Sequence, residues 1–251
     1  MKAMILSAGL GTRLGGLTSD TPKGMLLIDG YPILAWVVAN LVRQGISDLV
    51  MNLHYFPEAI VDHFGDGSRY GARIDYSRET ELQGTAGGLR DARAMLAGSP
   101  EILVHYGDIV TDQDFGAMLD SHRRADALAT VLLHERASSN SIVAMDADQR
   151  IVGFLERPSE EERKGHASRW VNSGVCICAE EIFGCIPESG LADLPRDVFV
   201  KQVESKRMYG FPLGGFRCAI DSPERLEATR AAVAGGELAF HPSQVDREGA
   251  G

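Results

Sequence analysis

Cysteine is scarce and late: Cys176, Cys178, Cys185 and Cys218 are the only four, and none forms a CxxC pair. That argues against a paired-cysteine zinc site. Cys176 and Cys178 would share one strand face, too close in sequence for an easy disulfide. Reduced thiols in a cytoplasmic chain are therefore the expectation. Long apolar runs are missing too, so no segment is expected to span a bilayer, and the N-terminus lacks a signal-peptide layout. There is no excess of positive charge: 25 Lys and Arg against 35 Asp and Glu give a formal net charge of -10. Nucleic acid and anionic membrane surfaces are thus disfavoured as partners, although a local cationic pocket remains compatible with an acidic protein. The seven histidines show no metal spacing and no serine-centred triad partner. What is present, 251 residues with 44% apolar and 24% charged content, suits an ordinary globular fold.

The first half alternates. Strand patterns at Lys2–Ser7, Asp48–Leu53, Ala72–Ser77, Glu101–Tyr106 and Leu128–His134 are separated by helical ones at Pro32–Gln44, Leu89–Leu96 and Phe115–His122. Pro32 suits a first helical turn and Gly45 a stop. Such alternation predicts an α/β fold with a central mixed, mainly parallel sheet flanked by helices. Sheets of that kind bind ligands beyond the carboxyl ends of their strands. Later strands are expected at Ser141–Met145, Ile151–Leu155, Trp170–Ile177, Met208–Leu213 and Arg217–Ile220. Short helices are expected at Ala179–Cys185 and Pro195–Val203. A closing helix, Pro223–Ala234, follows with Ser222 as its N-cap. No repeat or strong linker appears. Residues 1–234 read as one domain, in which about 141–215 forms a subregion of different pattern. Ser159–Ser168 reads as an exposed charged loop and 235–251 as a fraying tail.

The stretch "LSAGLGTRLGGLTSDTPKGM", Leu6–Met25, follows the first apolar run. Three phosphate-loop patterns compete for it. A dinucleotide G-x-G-x-x-G fits Gly9 and Gly11 but meets Leu14 at the third glycine, and a Walker loop meets Leu17 where its lysine belongs. The third is G-x-G-T-R-L followed by T-P-K, matched by Gly9–Leu14 and Thr21-Pro22-Lys23. Its chemistry is that of a polyphosphate cradle. Glycines let backbone N–H groups approach phosphate oxygens. Arg13 supplies a planar fork of donors, and Lys23 a compact charge behind the rigid Pro22. The plainer alternative is an ordinary glycine turn.

Further candidates follow strand ends. Gln83-Gly84-Thr85-Ala86-Gly87-Gly88 precedes a helix, and Gln83 can donate and accept at a base edge; a simple loop-to-helix entry is the alternative. Asp108, after strand 101–106 and Gly107, is placed to bind a divalent cation, or merely to cap. Asp112 is a nearby alternative to it, and reads more readily as a helix cap. Glu156-Arg157 could form a surface ion pair, and Asn172-x-Gly174 could be a plain turn.

Together these motifs resemble the sugar-1-phosphate nucleotidyltransferases, or NDP-sugar pyrophosphorylases, over roughly Met1–Ala234. The resemblance lies in the opening loop, "ELQGTAGGL" (Glu81–Leu89), "YGDIVTD" (Tyr106–Asp112), "FLERP" (Phe154–Pro158), "VNSGV" (Val171–Val175) and "DSPERLE" (Asp221–Glu227). Single-domain members resembling mannose-1-phosphate guanylyltransferases and muramic-acid-1-phosphate uridylyltransferases are nearest in pattern, and no hexapeptide-repeat tail is seen.

The resemblance implies a nucleotidyltransferase fold, Rossmann-like, and an enzyme that joins an NTP to a sugar 1-phosphate with Mg2+. GTP and a mannose-like sugar are favoured; UTP with an amino sugar, or an unusual heptose or cyclitol phosphate, is the alternative. It implies catalytic Arg13 and Lys23. Nucleotide contacts would come from Leu6, Ala8, Gly9, Gly11, Thr12, Arg13, Lys23, Gln83, Gly84 and Thr85. Sugar-phosphate contacts would come from Gly88, Glu156, Arg157, Asn172 and Gly174. The family's lysine in E-K-P is Arg157 here, and the aspartate of its D-I-G-T-P-E is Ala219. Asp221, two residues on and facing the same way if the strand continues, would join Asp108 as metal ligand; capping the next helix is its alternative. A dinucleotide-dependent oxidoreductase and a non-catalytic nucleotide- or sugar-binding relative are the competing classes. Whether the chain self-associates as a homo-oligomer is not readable from sequence.

Overall fold

The structure, a computed structural model, describes residues 1–137 and 139–247. The chain divides into two compact units. One is Met1–Leu82 with His105–Asp114 and Gly214–Gly251; the other is Gln83–Val104 with Phe115–Leu213. Each is assembled from separated segments, which is why no linker marks the division within the expected single domain 1–234.

The first unit carries the parallel strands Lys2–Leu6, Asp48–Leu53 and Arg73–Arg78, with Ala3 opposite Leu49 and Leu49 opposite Ile74. Ala3, Met4 and Ile5 are wholly buried, as expected of a strand covered on both faces. Helix Ile33–Arg43 buries every residue from Ile33 to Leu41 and ends before Gly45, whose φ is +78°. Helix Pro57–Phe64, with proline in its first turn, is missed by the sequence pattern because only Ile60 and Phe64 are buried. Strand Arg217–Ala219 pairs antiparallel with Ile109–Thr111. Helix Pro223–Ala234 has its expected bounds, and Ser222 caps it by accepting the Arg225 N–H.

The expected fraying after Ala234 does not occur over the described part of the tail; residues 248–251 lie outside it. Phe240 joins the core made by Ile28, Ile33, Trp36, Val110, Ile220 and Leu226. Its ring meets the Trp36 indole at 5.7 Å, and the Arg43 guanidinium lies 4.8 Å from its centre. Asp246 is buried and accepts two 2.8 Å hydrogen bonds from Arg69. One aromatic and one buried ion pair hold a segment whose composition alone looks loose.

The second unit is mixed. Strand Trp170–Ala179 runs antiparallel to Ala129–Glu135, which pairs in parallel with Met208–Pro212; Ser141–Met145 and Ile151–Glu156 form an antiparallel pair. Cys176 and Cys178 are buried thiols 3.7 Å apart at sulfur, not a disulfide. Around these strands lie helices Gly84–Asp91, Arg93–Leu96 and Phe115–Arg124, and an irregular helical run from Leu194 to Ser205. The first begins five residues before the expected Leu89. Its low-propensity start is stabilised because the Ala192 carbonyl accepts the N–H groups of Ala86 and Gly87. The expected loop Ser159–Ser168 contains a short helix, Glu160–Lys164, closed by a Ser159–Glu162 capping box. The fold is thus α/β with flanking helices: three parallel strands and a separate antiparallel pair in one unit, mixed pairing in the other.

Candidate active site

The glycine loop leaves the first strand under tight control. The Ser7 N–H donates to Asn52 Oδ1 (2.8 Å), the Ser7 hydroxyl donates to the Asn52 carbonyl (2.6 Å), and Asn52 Nδ2 donates to Glu79 Oε1 (2.7 Å). Leu6 ends the strand, Ala8 is buried, and Gly9, Thr12 and Arg13 are exposed. Gly11 turns the chain at φ +66°, where a Cβ would also lie 3.1 Å from Lys23 Cβ and 3.2 Å from Thr18 Cγ2. The Thr18 hydroxyl donates back to the Gly11 carbonyl (3.1 Å), and Tyr55 donates to the Thr18 carbonyl (3.2 Å).

Gly9 differs from Gly11. Its φ lies outside the left-handed region, and nothing stands within 4 Å of an added Cβ. The fold has no need of glycine there; a closely approaching ligand would. Gly9→Ala is accordingly expected to melt within about 2 °C of the parent while binding NTP at least about 10-fold more weakly. Calorimetric titration and thermal melts check both halves.

Three cations, Arg13, Lys23 and Arg225, pair with two carboxylates, Asp108 and Asp221, around this loop. Lys23, its side chain only 16% exposed, forms an ion pair with Asp108. Asp108 follows Gly107, whose N–H donates to the Leu6 carbonyl (2.8 Å) and where a Cβ would press on Leu34 Cδ2 and the Leu6 oxygen at 3.0 Å. That close approach sets the aspartate beside the end of the first strand. The Asp108 carbonyl accepts the Ile220 N–H (2.8 Å), bringing the chain entering the last helix alongside. The strand does not run extended through Asp221 as expected. It ends at Ala219, and the Asp221 N–H turns back onto the Ala219 carbonyl (3.1 Å).

The Asp221 carboxylate lies 3.2 Å from Arg225 and 3.8 Å from Arg13, and Arg225 also donates to the Ala219 carbonyl (3.1 Å). The sequence did not single out Arg225, whose contacts place it beside Asp221; the arginine in "DSPERLE" was its only signal. Asp112 caps no helix: its carboxylate accepts the Phe216 N–H at 2.6 Å and ties a loop. Among the described residues no cluster of three or more His, Cys, Asp or Glu is arranged to hold a metal. Asp108 and Asp221 stand on adjoining segments, and carboxylate oxygens are the hard donors that Mg2+ takes alongside water and phosphate.

In the second unit, Gln83-Gly84-Thr85 is bound to the segment 187–194. The Ala192 N–H donates to the Gln83 carbonyl (2.9 Å). Gly84, at φ +75°, allows the Ala192 carbonyl an approach that any Cβ would block. The Thr85 hydroxyl donates to Asp193 (2.7 Å) and accepts the Leu194 N–H (2.7 Å), so its side chain ties the motif rather than facing outward. Gly88 is buried inside the helix Gly84–Asp91. Asn172-x-Gly174 is an irregularity in the strand pairing: Gly174 takes φ +76° and donates its N–H to Asn172 Oδ1 (2.9 Å).

Glu156 ends its strand with a side chain 15% exposed, 3.9 Å from the exposed Arg157 guanidinium. Arg157 sits at φ +51°, a left-handed conformation that is costly for any residue other than glycine and more so ahead of a proline. Burial pushes the Glu156 carboxyl up to about 7, with Arg157 and Arg196 opposing and Asp193 assisting. Strongly displaced carboxyls are enriched at functional sites and also occur in buried structural networks. Its folded value exceeds the ordinary one, so its contribution to stability is complete below about pH 4.5 and is lost as pH rises through about 7. Glu156→Gln should therefore melt higher than the parent at pH 8, with the gain shrinking towards pH 5. Equal melting temperatures at both pH values would contradict this.

A family model described as nucleotidyl transferase matches residues 2–212. The chain belongs to that family. It is 32% identical over 219 residues to a UTP–glucose-1-phosphate uridylyltransferase of Synechocystis, covering 82% of this chain and 56% of that one. It is 28% identical over 226 residues to a mannose-1-phosphate guanylyltransferase of Mycobacterium tuberculosis, covering 88% and 61%. The chain thus spans little more than half the length of these curated relatives. Among solved structures, a UDP-glucose pyrophosphorylase complexed with UDP-glucose superposes with a TM-score of 0.79 at 18% identity, over 94% of this chain and 98% of that one. At that identity the likeness is one of fold, and it agrees with the α/β architecture described above. The family match includes the glycine loop, Lys23, Asp108, Gln83–Gly88, Glu156 and Asn172; Asp221 and Arg225 lie beyond it.

Proposed function

We propose that the chain is a sugar-1-phosphate nucleotidyltransferase: NTP plus sugar 1-phosphate gives NDP-sugar plus pyrophosphate. The observation that carries this reading is the pairing of a glycine loop open at Gly9 with Lys23 and Asp108 at its edge. An oxygen of the sugar phosphate attacks the α-phosphorus in line, the bond from that phosphorus to the bridging α–β oxygen breaks, and pyrophosphate departs with the electron pair. A phosphate monoester is already anionic near neutral pH, so no general base is required. Catalysis reduces to positioning and charge neutralisation. Backbone N–H groups at Gly9, Gly11 and Thr12, with Arg13 and Lys23, hold the triphosphate and stabilise the departing pyrophosphate. Gln83 reads the base. Glu156, Arg157 and Asn172 take the sugar and its phosphate. Asp108 and Asp221 would hold Mg2+, which when bound neutralises charge on the phosphates.

GTP with a mannose-like 1-phosphate is the first substrate reading, supported by the guanylyltransferase relative. Uridylyl transfer is the second, supported by the uridylyltransferase relative. The chain is read as cytoplasmic; among the described residues no helix is long and apolar enough to cross a membrane. A matrix of four NTPs against a panel of sugar 1-phosphates, scored by pyrophosphate release, tests the reading. Release requiring both substrates supports it. NTP binding without release across the panel would favour a non-catalytic relative.

A further inference from the structure

Arg90 bears on which base the site accepts. It lies seven residues after Gln83, on the helix Gly84–Asp91, with a side chain 17% exposed. Its Nη2 donates to Gln83 Oε1 (3.1 Å), its Nη1 donates to the carbonyls of Pro187 (3.1 Å) and Gly190 (3.0 Å), and its Nε donates to Asp91 (2.9 Å). Four acceptors lock the guanidinium. Gly87 leaves room for the clasp: a Cβ there would lie 2.8 Å from Gln83 Cβ and 3.4 Å from Arg90 Nη2. A guanidinium has donors and no acceptor, so only the oxygen of the Gln83 carboxamide can face it. The polarity of the amide is therefore set by chemistry, and its NH2 end points away from Arg90.

We propose that Arg90 is a positioning residue that holds Gln83 as a hydrogen-bond donor and so selects nucleotides with an oxo group on the base over those with an amino group. The inference rests on the reading that Gln83 contacts the base. Guanine O6 and uracil or thymine O4 are acceptors; adenine N6 and cytosine N4 are donors. A donor held against a donor leaves both unpaired as the site closes, and the cost falls on ATP and CTP.

Binding of GTP, UTP, ATP and CTP is measured by calorimetry on the parent, Gln83→Glu, Arg90→Lys and Arg90→Ala, alongside turnover with sugar 1-phosphates. The parent is expected to bind GTP or UTP at least about 10-fold more tightly than ATP and CTP. Gln83→Glu keeps an acceptor for Arg90, and with it the segment 187–194, but can no longer donate. Its preference should swing about 10–100-fold towards the amino bases. Arg90→Ala removes the donor that faces the Gln83 oxygen and should bring the ratio towards one, while Arg90→Lys, still a donor, should retain it. A Gln83→Glu protein that keeps the oxo preference, or a parent that binds ATP and CTP as tightly as GTP and UTP, overturns the inference. Selectivity that tracks Gln83 in binding, with no NDP-sugar formed from any pair, overturns the proposed activity and leaves the inference standing. NDP-sugar formation indifferent to both residues does the reverse.

Discussion

Lys23→Ala is expected to lower turnover by about 10²–10³-fold, the usual loss when one preorganised charge is removed from a developing anion. Lys23 is enclosed, with 16% of its side chain exposed and its ammonium on Asp108. In an active site closed around nucleotide, that ammonium would exchange a carboxylate for phosphate oxygens. Alanine leaves Asp108, itself 30% exposed, in contact with water, so the folded state should survive. The measurement is a comparison of kcat with the melting temperature. A fall in kcat with the melting temperature within a few degrees of the parent is the expected result. Parental kcat would remove Lys23 from the mechanism. A loss that disappears when melting is restored by solution conditions would make its role structural.

The second large effect concerns the carboxylates. Asp108→Asn is expected to reduce activity about 10²-fold at fixed Mg2+ and to raise the Mg2+ concentration needed for half-maximal rate. Asp221→Asn should raise that requirement with a smaller loss of rate. The alternative in which Asp221 serves only to cap the last helix is weakened, because Ser222 supplies the cap. A second alternative is that Asp221 exists to hold Arg225, 3.2 Å away. Arg225→Gln separates the two: it removes the ion pair and should leave the Mg2+ requirement near that of the parent. Because the strand stops at Ala219, a carboxylate introduced by Ala219→Asp stands on an adjoining part of the same segment and should partly restore Asp221→Asn. Unaltered Mg2+ dependence in both aspartate variants would contradict their assignment as ligands.

How far the sequence carried this account depends on the kind of physics involved. Strands such as Lys2–Leu6 and Asp48–Leu53 are legible because burial on both faces demands an uninterrupted apolar run. Helix Ile33–Arg43 is legible because its stripe sits between a proline and a glycine with distinct backbone needs. The glycine loop is legible for the same reason. Arg90 and Arg225 were not, since an arginine on a helix looks like a solvated face until its acceptors are known. The tie between Thr85 and Asp193 was not legible either, because the two lie 108 positions apart. The tail misled in the opposite sense: Phe240 and Asp246 are ordered by partners at Trp36 and Arg69 that no local pattern reveals. The raised Glu156 carboxyl belongs to the same class, because burial of that side chain is a tertiary property.

The most direct test of the central claim is a 31P nuclear magnetic resonance time course with GTP or UTP, Mg2+ and a productive sugar 1-phosphate. The account predicts that the monoester signal falls as two coupled diphosphate resonances of an NDP-sugar rise, with pyrophosphate formed in equal amount. Orthophosphate or free nucleoside diphosphate appearing instead, at a rate indifferent to the sugar phosphate, would contradict it.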